Sequence, residues 1–279
     1  LIPPSINLII YGLLTDTSVP QLYLAGFIPG LTLAILFMLT ILIAVLIKPA
    51  WGGEPVKTTW SARWKTLPDL LPPLGIFVVV VGSIYAGIAT PTEAASVGVV
   101  AALCLAAGFG ALNWRMLREA VEGTLRTTAM VMLIIFAALF LNFVLAAIGM
   151  TTQLITLIDN LGVSPMQTLW VVIAFYIVVG CFMETLSMLI TTTPLIAPIL
   201  IGMGFDPVWL GILITLLLET ALITPPVGIN LYVVHGIRDR GTMNDVIIGA
   251  SPFVVTLFVM IGLLVMFPQI ALFLPQLFY

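Results

Sequence analysis

Apolar residues run through this chain in stretches of membrane length, and polar residues interrupt them at a few defined places. A membrane helix needs about 20 predominantly apolar residues. Residues 21–47, 69–89, 93–111 and 128–149 each predict a full span. Residues 1–12 read as the second half of a broken helix. Residues 48–67 carry Trp51, Trp60 and Trp64 among basic residues, a mixture that suits an arm at headgroup level. In residues 113–126, Trp114, Leu117, Val121 and Leu125 share one helix face. Glu122 and Arg126 form an i,i+4 pair on the other, so an interfacial amphipathic helix is predicted. Residues 151–161 are expected to lie flat on the far surface.

Two shorter apolar runs follow, at residues 168–183 and 188–203, around a polar Met-Glu-Thr-Leu-Ser turn at residues 183–187. The second run contains Thr191, Thr192, Thr193, Pro194 and Pro198. Non-helical backbone at membrane depth is tolerated only inside protein or beside water. A re-entrant hairpin over 168–203 is therefore expected rather than two crossings. Residues 207–237 predict a span broken at Thr224, Pro225 and Pro226, and residues 246–275 a last span.

Two of these segments say nearly the same thing. Residues 1–8 read Leu-Ile-Pro-Pro-Ser-Ile-Asn-Leu, and residues 222–231 read Leu-Ile-Thr-Pro-Pro-Val-Gly-Ile-Asn-Leu. Asn7 matches Asn230, Gly26 matches Gly249 and Pro29 matches Pro252, each pair 223 positions apart; the Pro-Pro pairs are 222 apart. Helices broken at corresponding places of two halves point to a secondary transporter. Residues 1–47 then form the end of a first repeat, 48–67 a connector arm and 68–279 a second repeat. Repeat symmetry places roughly 110–160 further residues before Leu1, so an N-terminally truncated chain is expected.

Charge fixes the orientation. All nine Lys and Arg lie in three connectors: Lys48, Lys57, Arg63 and Lys65; Arg115, Arg118 and Arg126; Arg238 and Arg240. The predicted spans put all three connectors on one side, which the positive-inside rule makes cytoplasmic. The first Pro-Pro segment then runs outward and the second inward, so the repeats are inverted. The expected fold is an all-α polytopic membrane protein of inverted repeats, with a re-entrant hairpin and broken helices.

Composition agrees. The chain is 61% hydrophobic and 8% charged, with a mean hydropathy of +1.25, where soluble domains carry about 25% charged residues. No basic cluster suggests nucleic acid. No phosphate-binding Gly-rich loop, His/Cys cluster or nucleophile–base pair stands out, so neither ATP hydrolysis nor an enzyme is expected. Cys104 and Cys181 read as small hydrophobes.

Ionisable residues inside a bilayer are costly. Glu184 at the hairpin turn and Glu219 one turn before the second break are placed there. Each is either an ion ligand or structural: Glu184 as a tip reaching water, Glu219 as an acceptor for freed amides. Proline lacks an N–H, so carbonyls around Thr224 can turn toward a cation, and Na⁺ takes oxygen ligands. Ser5, Thr185, Ser187, Thr191, Thr192, Thr193 and Thr224 are candidates to complete such a shell or to bind a carboxylate. Each could instead bond back to its own helix. Asn7 and Asn230 either touch ligand or tie the broken helices together, and Gly228 serves close packing. With the breaks at Pro3-Pro4 and Pro225-Pro226, these residues make up the expected sodium and substrate site. Na⁺ is placed near Glu184, Thr185 and Thr224, and no other cofactor is expected.

Four motifs, in order, resemble the large membrane subunit of tripartite ATP-independent periplasmic (TRAP) transporters: residues 2–12, residues 24–30 (Leu-Ala-Gly-Phe-Ile-Pro-Gly), residues 89–95 (Ala-Thr-Pro-Thr-Glu-Ala-Ala) and residues 219–231. The resemblance implies a Na⁺-coupled importer in the bacterial inner membrane, working by an elevator motion. It further implies a small membrane subunit, a periplasmic substrate-binding protein, and an organic acid substrate such as a dicarboxylate, keto acid or sialic acid. The family often has Asp at the hairpin turn where this chain has Glu184. The resemblance also implies the fold of the wider ion-transporter superfamily; a binding-protein-independent transporter of that superfamily, or an inverted-repeat channel, is the alternative.

Cysteines introduced at Lys57, Arg118 and Arg240 are predicted to react with an impermeant reagent from the same compartment. A split result removes the inverted-repeat arrangement.

Overall fold

The computed structural model describes residues 1–52, 59–150, 152, 153, 156, 162–226, 228–238 and 241–279, with the side chains of residues 62, 63 and 142 excepted. Lys57, Asp159 and Arg240, and most of the 151–161 surface segment, fall outside the described residues. Helices make up the fold, and no strand occurs among the described residues. Among the described residues, six helices are long and apolar enough to cross a membrane. The protein is a multi-pass membrane protein, and its helices fall into two compact units.

One unit spans Lys48–Met130. Helix α3 (Trp60–Thr66) leads through a 3₁₀ turn (Leu67–Leu70) into α4 (Leu71–Tyr85), which packs on α5 (Pro91–Gly108). Thr90 and Glu93 form a capping box at the start of α5, with Glu93 Oε2 accepting the Thr90 amide at 2.8 Å. Glu93 is therefore a helix cap. The Lys48 ammonium lies 4.7 Å from the centre of the Trp51 ring, as suits a basic, aromatic arm.

Helix α6 (Trp114–Ala147) corrects one expectation. The amphipathic segment and the following span are one continuous helix of 34 residues, roughly 51 Å long. Residues 126–128 contain no proline or glycine to end the first segment. Glu122 pairs with Arg118 at 2.7 Å, one turn before it, rather than with Arg126. Either cation lies one turn away, and both members of the pair are well exposed, so the choice carries little energy.

The other unit comprises Leu1–Ile47 and Val131–Tyr279. Its helices are α1 (Ile6–Thr15), α2 (Val19–Ile47), the α7–α8 hairpin (Pro165–Gly180 and Thr185–Gly202), α9 (Pro207–Ile223), α10 (Ile229–Ile237), α11 (Met243–Met266) and α12 (Gln269–Phe278), with the last part of α6. The predicted last span is thus two helices. Pro268 has no N–H to continue α11, and α12 turns back to pack on α2. The hairpin arms have 16 and 18 residues, roughly 24 and 27 Å against a hydrocarbon core of about 30 Å; the first falls short of a span, and the second is one of the six helices of crossing length.

Helix α9 is the central column. It touches α1, α2, α7, α8, α10, α11 and α12. Every residue from Val208 to Leu218 is buried. A helix apolar on all sides requires such a sheath. Pro207 and Asp206 start it: the Asp206 carboxylate accepts the amides of Val208 at 2.8 Å and Trp209 at 3.0 Å. Tyr11 Oη donates to Pro207 O at 2.8 Å, and Trp209 Nε1 donates to Leu264 O at 3.0 Å.

These contacts set direction. The last turns of α1, the start of α9 and the last turn of α11 meet at one face. Helix α11 extends 24 residues from there, roughly 36 Å, so Met243 and the preceding Arg238 lie far from it. Helix α1 therefore runs toward this face and α10 away from it, the inverted relation expected from the repeats.

A methyl group at Gly211 would lie 2.6 Å from Tyr11 Cε1 and 2.8 Å from Leu22 Cδ2. Gly211→Ala is predicted to destabilise the unit by about 1–3 kcal/mol, the usual cost of overpacking. Thermal unfolding in detergent measures this, and an unchanged midpoint contradicts the tight α1–α2–α9 junction.

Candidate functional site

The site is built around two Pro-Pro segments: one leads into α1, and the other separates α9 from α10. At the first, Pro3 and Pro4 are joined by a cis peptide bond, and Ser5 is extended without a side-chain cap bond. Gly26 and Gly30 of α2 admit this segment. A Cβ at Gly26 would lie 2.5 Å from Leu1 O, and one at Gly30 2.5 Å from Ile2 Cγ1. At the second, α9 ends at Ile223, Thr224 is extended, and Pro225–Pro226 is again cis. The amides absent at Pro225 and Pro226 are those that would have bonded the carbonyls of Ala221 and Leu222. The Thr224 amide recovers Ala221 O at 3.3 Å, and the Thr224 hydroxyl donates to Thr220 O at 2.6 Å. Gly228, at φ +43°, restarts the chain as α10, with space for a Cβ limited by Thr224 O at 3.0 Å.

Between α2, α9, α10 and α11 lies a cavity of about 820 Å³, bounded by both breaks. Leu1 and Ile2 reach it just before Pro3; Ile223 and Asn230 reach it on either side of Pro225 and Pro226. Its walls are mainly apolar, with Leu33, Phe37, Val234 and Phe253 among them. Four polar side chains join the lining: Glu219, Asn230, Arg238 and Asp245. Few polar groups in an apolar hollow of this size is the usual form of a small-molecule site. Asn230 and Val234 lie one turn apart on α10, and Arg238 follows as its extended C-cap residue. The Asp245 carboxylate caps α11, accepting the Thr242 amide at 2.6 Å and the Thr242 hydroxyl at 2.9 Å. Arg238 and Asp245 converge over Gly241: a Cβ there would lie 2.9 Å from Arg238 Nη2 and 3.2 Å from Asp245 Oδ2.

The hairpin meets the second break separately. Gly180 packs directly on Ala221, three residues before Thr224, with no room for a Cβ between them. The Glu184 carboxylate caps α8, accepting the amides of Leu186 at 3.0 Å and Ser187 at 2.8 Å. Thr185 and Ser187 are half-buried and Thr191 is exposed. The Tyr176 and Thr192 hydroxyls lie 2.6 Å apart, and Thr192 also donates to Met188 O at 2.7 Å. Thr193 is fully buried, and its hydroxyl has no partner in hydrogen-bond geometry.

Of the residues expected from sequence, Glu219 and Asn230 line the cavity. Pro3, Pro4, Ser5, Asn7, Thr224, Pro225, Pro226 and Gly228 form the breaks beside it. Glu184, Thr185, Ser187 and Thr191–Thr193 belong to the hairpin, outside the lining. Arg238 and Asp245 were missed. Their local sequence gave no signal for either.

A model of the family described as "Tripartite ATP-independent periplasmic transporter, DctM component" matches residues 1–270. The chain belongs to this family. It is 33% identical to the ectoine/5-hydroxyectoine TRAP transporter large permease of Ruegeria pomeroyi over 99% of this chain and 64% of that protein. It is 32% identical to the sialic acid TRAP transporter large permease of Vibrio cholerae over 100% of this chain and 65% of the relative. It is 34% identical to the C4-dicarboxylate TRAP transporter large permease of Pseudomonas aeruginosa, again over 99% and 64%. The chain thus spans slightly less than two thirds of the length of these relatives.

Left-handed backbone at a non-glycine residue costs about 1–2 kcal/mol. Gly228→Ala in the full-length permease is predicted to reduce uptake several-fold while the protein still reaches the membrane. Wild-type uptake by this variant contradicts the importance of the geometry at the second break.

Proposed function

We propose that this TRAP permease chain forms the core of a secondary importer that carries an organic acid across the bacterial inner membrane, coupled to Na⁺. The observation that carries the reading is the cavity where two inverted Pro-Pro breaks meet, in a chain of this family. Ligands of inverted-repeat transporters sit between broken helices at mid-membrane. Relatives named for ectoine, sialic acid and C4-dicarboxylates support a carboxylate cargo. In this reading a small membrane subunit completes the complex, and a periplasmic binding protein delivers the substrate. In this reading the hairpin is re-entrant, which its 16-residue first arm favours, and it moves with α9 in an elevator-type step.

Na⁺ would take oxygen ligands. Around the second break these are Leu222 O and neighbouring carbonyls, with the Thr185 hydroxyl and the Glu184 carboxylate at the hairpin turn. Both Glu184 oxygens already accept amides, and each retains a lone pair for a cation. Opposite charges about 4 Å apart gain roughly 4 kcal/mol at an effective dielectric near 20. A bound cation therefore both orders the hairpin turn and offsets an entering anion. By linkage, substrate must then tighten Na⁺ as much as Na⁺ tightens substrate.

Uptake by the reconstituted full-length complex is predicted to require both Na⁺ and the binding protein; uptake without either sinks the proposal. Glu184→Gln is predicted to weaken the Na⁺ dependence while leaving assembly intact. Full retention of rate and Na⁺ dependence assigns Glu184 to capping alone.

A further inference from the structure

The hairpin and the second break meet at one glycine. Gly180 is the last residue of α7, and its backbone is helical, so no turn calls for glycine there. Alanine would favour the helix. What glycine supplies is space. The position its Cβ would take is already filled by the Ala221 Cβ of α9, with Ala221 Cα at 3.7 Å and the Met188 Sδ of α8 at 3.4 Å. Three helices therefore close on this residue, and Gly180, Met188 and Ala221 are all buried. One turn earlier, the Tyr176 and Thr192 hydroxyls, 2.6 Å apart, tie α7 to α8.

The neighbours of this contact in the chain give it a consequence. Cys181, next after Gly180, begins the turn that ends at Glu184. Leu222, next after Ala221, owns the carbonyl that Pro226 leaves without a helical partner. Consecutive Cα atoms are about 3.8 Å apart, so the turn and the freed carbonyl each begin one residue from the contact.

We propose that the Gly180–Ala221 contact sets the gap between the hairpin turn and the second break, and that this gap determines which cation couples transport. This rests on the Na⁺-coupled reading above and names the residues that fix its ion. Neither is a ligand; both are positioning residues. Discrimination between cations of equal charge rests on cavity size and on the number and flexibility of the oxygen ligands. A methyl group at Gly180 needs about 3.5–4.0 Å from the Ala221 Cβ. The Tyr176–Thr192 bond and the buried Met188 leave the hairpin little internal slack, so its turn moves away from Leu222 O as a unit. A wider gap disfavours the smaller ion. Removing the Ala221 methyl does the reverse, because the two backbones can then draw together.

The test uses the reconstituted full-length complex. Uptake is followed against rising Na⁺ and, separately, rising Li⁺, a smaller ion of equal charge. Where Li⁺ supports no uptake, the Li⁺ concentration that halves uptake at fixed Na⁺ is used instead. The readout is the ratio of the Li⁺ to the Na⁺ half-effect concentration, which a smaller amount of folded protein leaves unchanged. Gly180→Ala is expected to raise the ratio about fivefold or more, and Ala221→Gly to lower it. The exchanged pair, Gly180→Ala with Ala221→Gly, keeps one methyl at the contact and is expected to return the ratio to within about twofold of wild type. Ala221→Gly introduces no clash, so it decides the matter even where Gly180→Ala does not fold: an unchanged or raised ratio overturns the inference. So does a raised ratio in Gly180→Ala that the exchange fails to restore. In both cases wild-type uptake still requires Na⁺, and the coupling reading stands. Wild-type uptake independent of Na⁺ sinks that reading itself, and the inference with it.

Discussion

Helix α9 has almost nothing to offer water. From Val208 to Leu218 its only polar side-chain groups are Trp209 Nε1, which donates to Leu264 O at 3.0 Å, and the Thr215 hydroxyl, which donates to Gly211 O at 2.8 Å. Such a helix is stable only when wrapped by others, and seven helices of its unit wrap it. Close approach is bought with small residues: Gly211 lets Tyr11 and Leu22 in, and Ala221 meets Gly180 of the hairpin. The break at Thr224 then falls where this sheath ends. The helix that organises the packing is thus also the one that delivers the interrupted backbone to the cavity.

The breaks were legible in the sequence because proline acts locally. A missing N–H and a fixed φ interrupt a helix in any context, so Pro3-Pro4 and Pro225-Pro226 declared themselves before any packing was known. The hairpin was legible for a similar reason: polar turn residues 183–187 interrupt the apolar runs and separate two helices. Helix α6 was misread because amphipathicity describes surroundings, not continuity. Its polar face and its apolar face follow one another along an unbroken backbone. Pro268, by contrast, ended a helix where apolar composition alone suggested one long span.

The cavity was only half legible. Glu219 and Asn230 drew notice as polar residues in apolar runs. Arg238 and Asp245 looked like ordinary connector charges, and nothing in their local sequence tells that both reach the cavity. Glu184 illustrates the converse. Its place at a membrane turn suggested an ion ligand, and the structure gives it a helix to cap. A carboxylate at a helix start serves both roles by the same physics, since the amides that hold it also fix its direction.

Matched positions in the two repeats are not used alike. At Gly26 the space left by the missing side chain is filled by Leu1 O, whereas the equivalent Gly249 lines the cavity and has nothing within 4 Å of where its Cβ would be. Two halves of the same ancestral pattern therefore present one plugged notch and one vacant notch. One glycine thus admits backbone while its counterpart leaves open wall, so the correspondence of the two Pro-Pro segments does not extend to the space beside them.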